Sequence, residues 1–178
     1  MFEGNLVRLV VLEEEHLDQI IENWNNPEMR RFLGGVIPHS RQSEVDWLQS
    51  VQDDMKRQKL FAFAIERLSD DAFLGTLAVH DIDWIARNGR LGIVIHKPED
   101  WGKGYGTEAM ELLIDFCWKH INLRRLELGV HSFNKRAKKS YLKLGFIEYG
   151  TAHQQFYIDG QYVDSVMMEI FRPDTQDR

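Results

Sequence analysis

The chain has 178 residues, a formal net charge of −6 and an isoelectric point near 5.6. This length suits one domain with a sizeable core, so we predict a single domain over residues 1–178. The acidic balance argues against nucleic-acid partners, and no apolar run is long enough to span a membrane. The single Cys117 excludes an internal disulfide, and there is no signal-peptide pattern, so the sequence predicts a cytoplasmic protein.

The chain begins with patterns typical of one strand and one helix. Residues 6–11 are mostly apolar, as expected for a strand. Over residues 17–24 the apolar positions recur at helical spacing. The segment 25–27, which ends in Pro27, is expected to stop this helix.

A second helix is predicted after a loop at Gly34 and Gly35. Ser40 is its expected N-cap, because a serine side chain can accept a hydrogen bond from an N–H in the first turn. The buried side of this helix is expected to carry Val45, Leu48, Val51 and Met55.

Three antiparallel strands are predicted next, over residues 60–65, 73–82 and 90–95. Ser69, Asp70 and Asp71 have turn chemistry between the first two. Asn88 with Gly89 is a strong hairpin signal before the third strand, and Gly75 indicates a bulge in the second.

A glycine-rich loop follows the third strand. Gly102, Gly104 and Gly106 precede an apolar-periodic helix that is expected to run to about His120. Unpaired backbone N–H groups converge at a helix N-terminus, where the helix dipole is positive, so this order predicts an anion site. The spacing matches neither the dinucleotide fingerprint nor a phosphate loop ending in Gly-Lys-Ser/Thr. The alternative is that the glycines only form a tight turn.

The remaining elements are a strand at 126–130, a helix opened by Asn134 and ended by Gly145, and strands at 146–157 and 161–171. Asp159 and Gly160 predict the hairpin turn between these last two strands. The whole pattern predicts a mixed α/β fold, with a mostly antiparallel sheet of about seven strands and about four helices.

Two motifs resemble those of GNAT-type N-acetyltransferases. Gly104 and Gly106 match the glycines of the pyrophosphate loop Q/R-x-x-G-x-G/A, with Trp101 in place of Gln or Arg. The segment 134–146 matches N-x-x-A-x-x-x-Y-x-K-x-G-F. The last hairpin is similar to that of the ribosomal-protein N-terminal acetyltransferases and the spermidine acetyltransferases. The resemblance implies a GNAT-like fold, in which two central parallel strands splay apart around the cofactor.

This resemblance also implies the ligand and its contacts. The co-substrate would be acetyl-CoA, with no metal, and Tyr141 would be the general acid that protonates the departing thiolate. Asn134 and Lys143 would line the far side of the cofactor. The splayed strand would contribute Ile93, Val94 and Ile95. The pyrophosphate loop would contribute Trp101, Gly102, Lys103, Gly104, Tyr105, Gly106 and Thr107.

The general base is left open by the sequence. Many GNAT relatives use a glutamate on the central strand, but Arg90 and Leu91 precede Gly92 here. Glu127 is one candidate, and a chain of water molecules is an alternative to any side chain. The other candidates lie at strand ends and are His80, Asp81, Asp83 and His96.

The acceptor is expected to be a primary amine, either a protein or peptide N-terminus or a small amine. Acidic residues on the second helix support an amine substrate, namely Glu44, Asp46, Asp53 and Asp54. A polyamine is the alternative acceptor, although residues 32–39 lack the acidic side chains expected to grip a polycation. A non-catalytic acyl-CoA sensor, which would not need Tyr141, is a further alternative, as is an interaction module that needs neither motif. A homodimer is the oligomeric state that we consider for this chain.

Overall fold

The fold is an eight-stranded sheet with helices on both faces, seen in a computed structural model that describes residues 2–33 and 37–173. The predicted loop at Gly34 and Gly35 lies outside the described residues. The elements in chain order are β1 (Phe2–Glu3), β2 (Val7–Val11), α1 (Leu17–Trp24), α2 (Pro27–Leu33), α3 (Arg41–Lys56), β3 (Phe61–Arg67), β4 (Phe73–Asp83), β5 (Asn88–Ile95), α4 (Tyr105–Lys119), β6 (Arg125–His131), α5 (Lys135–Lys143), β7 (Ile147–Ile158) and β8 (Gln161–Phe171). Short 3-10 turns precede α1 and α4.

The predicted fold class is confirmed, with one more strand and one more helix than expected. The strand order is β1-β2-β3-β4-β5-β6-β8-β7, and β5 and β6 form a parallel pair in an otherwise antiparallel sheet. The additional strand, β1, has two residues and is too short to leave a periodic pattern. The additional helix, α2, begins at Pro27, because a proline is well tolerated at the first position of a helix. Pro27 therefore separates two helices.

The turn predicted at Asn88 and Gly89 is wrong. Both residues already belong to β5, and the turn occupies residues 84–87. The Asp83 carboxylate accepts hydrogen bonds from the backbone N–H groups of Ile85 and Ala86 at 2.9 and 2.8 Å. An aspartate that bonds the backbone two and three residues ahead forms a turn by itself, and this local bonding outweighs the Asn-Gly signal.

Two hydrophobic clusters lie on opposite faces of the sheet. Ala64 belongs to the cluster under α1 and α3, whereas its neighbour Ile65 belongs to the larger cluster under α4. Successive residues of a strand point to opposite faces, so β3 contributes to both clusters. On β6, Leu126, Leu128 and Val130 share one face, and all three are buried in the larger cluster.

The parallel strands β5 and β6 separate part of the way along their length. Their register joins Asn88 to Arg125, Gly89 to Leu126 and Arg90 to Glu127, and continues no further. Beyond this point β5 remains paired with β4, and β6 remains paired with β8. The expected splay is present, and it opens a gap in the middle of the sheet.

Candidate active site

A cavity of about 270 Å³ lies at the gap between β5 and β6. Its walls are residues 91–95 of β5 and 129–131 of β6, together with the loop before α4 and parts of α2 and α5. Of the residues predicted to hold a cofactor, those that line it are Ile93, Val94, Ile95, Trp101, Gly102, Gly104, Tyr105, Gly106, Thr107 and Asn134. Tyr141 lines it as well.

Backbone N–H groups of β5 point into the gap. The N–H of His96 donates to the Leu74 carbonyl on β4 at 2.8 Å, whereas the Ile95 carbonyl accepts from the Trp101 indole at 2.8 Å. Backbone groups alternate in direction along a strand, so Ile93 presents its N–H to the same side as Ile95. β6 has already diverged at this level, which leaves the Ile93 N–H available to a carbonyl oxygen in the gap.

The glycine loop adopts a backbone conformation that suits an anion site. Gly102 and Gly104 have φ of 75° and 92°, in the left-handed region that glycine enters without strain. Gly104 is the N-cap of α4 and provides no side-chain cap, so the N–H groups of the first turn remain open to a ligand. A Cβ at Gly106 would meet Ile95 Cγ1 at 3.4 Å, so the start of α4 lies directly against β5.

Arg136 adds a positive charge to the cavity wall, which the sequence reasoning missed. Its guanidinium carbon lies 3.8 Å from the centre of the Trp101 ring, and the Phe32 ring contacts Trp101 edge-on at 5.4 Å. Loss of hydration lowers the pKa of Arg136 from its usual value. The available signal was its place between Asn134 and Ala137, in the first turn of the helix that carries the second motif.

Asn134 and Tyr141 reach the cavity from α5. The Asn134 side chain accepts a hydrogen bond from the Ala137 N–H at 3.2 Å, which confirms it as the N-cap. The Tyr141 ring packs edge-on against Phe146 at 6.0 Å. Burial raises the pKa of Tyr141 to about 12, so its hydroxyl is protonated at neutral pH and can donate a proton.

Two predicted cofactor residues, Lys103 and Lys143, do not line this cavity. The Lys103 ammonium group lies 3.7 Å from the Asp100 carboxylate, and its side chain is half exposed. Lys143 borders a second concavity together with Glu108, Glu111 and Asp115. The family resemblance implied that Lys143 lies near the cofactor, but Lys143 is at the C-terminal end of α5, whereas Asn134 caps the other end.

Glu127, the first candidate base, is bound to other side chains and lies outside the cavity. Glu127 forms an ion pair with Arg125 at 3.0 Å and accepts a hydrogen bond from the Tyr149 hydroxyl at 3.1 Å. Its partner across the parallel pair is Arg90, where the gap has not yet opened. Glu127 therefore lies beside the closed part of the sheet and does not line the cavity.

The other four candidates do not line the cavity either. His80 pairs with Asp81 at 3.0 Å, and Asp83 forms the turn described above. His96 is buried against Phe73, and among the described residues neither of its ring nitrogens has a hydrogen-bond partner. Burial lowers the pKa of His96 to about 4. The histidine that does line the cavity is His131, which the sequence reasoning did not consider.

The acidic residues of α3 also have local partners. Ser40 caps α3 as predicted, and Glu44, in its first turn, is buried against His39. The remaining carboxylates pair as follows: Asp46 with Gln42, Asp53 with Lys56, and Asp54 with Lys59. The structure therefore does not bring this group to the cavity.

Over residues 2–33 and 37–173 there is no cluster of three or more His, Cys, Asp or Glu side chains arranged to hold a metal ion. No helix in these ranges is long and apolar enough to cross a membrane.

Comparison with known proteins identifies related sequences and structures. Residues 7–147 match the family described as an acetyltransferase (GNAT) domain. The spermidine N(1)-acetyltransferase of Escherichia coli (strain K12) is 31% identical over 168 residues, covering 93% of this chain and 86% of that protein.

Two solved structures share the fold at lower identity. A spermidine N-acetyltransferase from Vibrio cholerae in complex with CoA and spermine has a TM-score of 0.83 and 24% identity, covering 93% of this chain and 95% of that one. A ribosomal-protein-S5-alanine acetyltransferase from Vibrio fischeri has a TM-score of 0.86 and 20% identity, covering 97% of each chain. The two proteins are named for different acceptors.

Proposed function

Because this chain belongs to the GNAT acetyltransferase family and is an acetyl-CoA-dependent N-acetyltransferase, we propose that it acetylates a primary amine. The acceptor is a peptide or protein N-terminus or a small amine. The observation that carries this proposal is the cavity at the β5–β6 gap, where an anion-binding loop, free backbone donors and Tyr141 meet.

The residues around the loop fit the pyrophosphate of acetyl-CoA. The uncapped first turn of α4 offers N–H donors and the positive end of the helix dipole. Arg136 lies beside this loop, stacked on Trp101, and adds a cation that can pair with phosphate oxygens. The left-handed glycines leave the backbone accessible, because they have no Cβ to hold a phosphate away.

The chemistry takes place in the gap itself. A neutral amine attacks the thioester carbonyl carbon, and the Ile93 N–H stabilises the negative charge that develops on the carbonyl oxygen. The carbon–sulfur bond breaks with its electron pair on sulfur, and Tyr141 supplies the proton that completes the CoA thiol. Acetyl transfer is direct and forms no covalent enzyme intermediate.

The acceptor side of the cavity favours an amine with apolar surroundings over a polycation. Met29, Phe32 and Leu33 of α2 line the cavity, and we assign the wall that they form to the acceptor. Among the described lining residues, Asp100 is the one carboxylate, and it is already paired with Arg67 at 3.1 Å and with Lys103. A polyamine needs carboxylates for its several positive charges, so the lining suits a single amine better.

A polyamine acceptor remains the second candidate because of one specific observation. The relative that is 31% identical over 93% of this chain is named for spermidine. Retention of Tyr141 at the cavity favours an enzyme over a non-catalytic acyl-CoA sensor. A homodimer stays a prediction, and so does a cytoplasmic location.

Turnover with a panel of acceptors tests the proposal. Acetyl-CoA would be offered with short peptides of varied N-terminal residue, amino acids, aminoglycosides, monoamines and spermidine, and release of the CoA thiol would be measured. We expect peptides or monoamines to give the highest kcat/KM. Higher kcat/KM for spermidine than for every peptide and monoamine would select the polyamine, and transfer only to hydroxyl or thiol acceptors would contradict a primary amine.

A further inference from the structure

His131 is the last residue of β6 and lines the cavity beyond the point where β5 and β6 separate. On this strand Leu128 and Val130 point into the cluster under α4, so His131 belongs to the opposite face. Tyr141 packs against the cluster under α4. The two side chains therefore approach the gap from opposite faces of the sheet.

The His131 ring is held by neighbours on three elements. It contacts Phe156 of β7 at 4.6 Å and Phe133 at 5.3 Å between ring centroids. The backbone of Arg31 on α2, the helix that lines the acceptor side, acts to raise the pKa of His131. These contacts fix a half-buried imidazole at the wall where an amine would enter.

Burial and the Arg31 backbone act on the pKa of His131 in opposite directions. Loss of hydration lowers this pKa, whereas the Arg31 backbone acts to raise it. In a neutral imidazole one ring nitrogen carries a hydrogen, and the other holds a lone pair that can accept a proton.

Charged groups around His131 are engaged elsewhere or are cationic. Arg31 pairs with Asp159 at 2.9 Å, and Asp164 of β8 pairs with His153 at 3.2 Å. On β5, a guanidinium nitrogen of Arg90 lies 3.2 Å from the position of a Cβ at Gly129, on the same face of β6 as His131. The remaining titratable groups on the cavity wall are Arg136, Tyr105, Tyr141 and Asp100, the last paired with Arg67 and Lys103. The surroundings therefore offer no unpaired carboxylate, among the described residues, that would hold the ring in its charged form.

We propose that His131 is the general base of the transfer, an assignment that rests on the proposed primary-amine acceptor. The unprotonated ring nitrogen of His131 takes one proton from the acceptor ammonium, directly or through one water. The nitrogen of the deprotonated acceptor amine forms the bond to the acetyl carbon as the carbon–sulfur bond breaks. Tyr141 protonates the sulfur, and the second proton shed by the nitrogen restores the Tyr141 hydroxyl through solvent. His131 releases its proton to solvent, so charge and atoms balance.

The pKa of the acceptor ammonium decides how readily His131 can deprotonate it. A peptide α-amine has an ordinary pKa of about 8, compared with about 10.4 for an alkylamine such as that of lysine. A histidine whose own pKa is lowered removes a proton more readily from the less basic amine. A histidine base therefore suits N-terminal α-amines better than polyamines.

Steady-state kinetics across pH test the role of His131. Wild type, His131→Gln and His131→Ala would be assayed with the primary amine that wild type acetylates best, and His153→Gln would be the control because that side chain is exposed on β7. We expect wild-type kcat to fall as the pH drops through a pKa below about 6.5. We expect kcat at pH 7 to fall at least about tenfold in both His131 variants, and the decrease of kcat toward acidic pH (the acidic limb) to disappear. Added imidazole should restore part of the lost kcat in His131→Ala.

Melting temperature and acetyl-CoA affinity, measured on the same variants, separate chemistry from folding. A folded His131→Gln protein with wild-type kcat and the wild-type acidic limb would overturn the proposal. A His131→Ala protein that loses kcat but keeps the wild-type pH dependence and ignores imidazole would also overturn it, as would unfolding of both variants. If wild type acetylates no primary amine, the proposed acceptor fails, and the assignment of His131 fails with it.

Discussion

Helices α4 and α5 both begin at the cavity, but their first turns are built differently. Gly104 leaves the N-terminus of α4 without a side-chain cap, whereas Asn134 satisfies an N–H of α5 with its own side chain. The open terminus can take an anion, and the closed terminus cannot take one at that N–H. We therefore propose that the first turn of α4 holds the pyrophosphate, whereas α5 supplies Tyr141 and the cation of Arg136.

The largest expected effect is on α5 and concerns Tyr141. Tyr141→Phe keeps the ring and removes the hydroxyl, so kcat should fall about 100-fold, roughly 2.7 kcal/mol of barrier, with little change in acetyl-CoA affinity. Tyr162→Phe is the matched control, because Tyr162 is exposed on the last hairpin. Full activity in a folded Tyr141→Phe protein would end its assignment as the acid.

The second effect is on α4 and concerns Gly104. A valine there would sit in a left-handed backbone, and its Cβ would lie 3.3 Å from Leu6 Cδ1, so the loop should shift and the Kd for CoA should rise at least about tenfold, or about 1.4 kcal/mol. Gly160→Val is the control, since Gly160 has a similar φ of 81° at a hairpin tip and carries the same backbone strain. Calorimetry that finds unchanged CoA affinity in a folded Gly104→Val protein would contradict the loop assignment.

A smaller effect is expected for the cation that α5 contributes to binding. Arg136→Gln removes the charge and the stacking on Trp101, so we expect the Kd for CoA to rise about fivefold, or roughly 1 kcal/mol. The loss should shrink at high salt, because Coulomb attraction to phosphate is screened. Lys139→Gln removes a charge from an exposed position of the same helix and should leave the Kd unchanged.

The smallest effect concerns the cap of α5. Asn134→Ala leaves the Ala137 N–H without its side-chain partner and should cost about 1 kcal/mol of folding free energy. For a chain of this size that corresponds to a decrease in melting temperature of about 2–4 °C. A decrease in CoA affinity larger than that of Arg136→Gln would instead show that Asn134 acts mainly on the cofactor.

Much of the fold could be predicted because helices, caps and turns depend on patterns of neighbouring residues. The apolar positions of α4 recur at helical spacing, and Ala109, Leu113 and Phe116 are buried as that spacing requires. Caps and turns such as Ser40, Asn134 and the Asp159-Gly160 turn depend on a few neighbouring residues. The errors also have local causes, because α2 begins at a proline and the Asp83 carboxylate forms a turn without glycine.

The sequence by itself predicted the glycine loop and Tyr141 as parts of one site, because each belongs to a short motif with fixed spacing. Only the tertiary structure decided which basic side chain lines the cavity. Glu127 and His131 lie on the same face of β6, four residues and about 13 Å apart. The β5–β6 pairing ends beside Glu127, so the gap opens only toward His131. The place where two strands part depends on pairing between distant segments, and no local pattern along β6 records it.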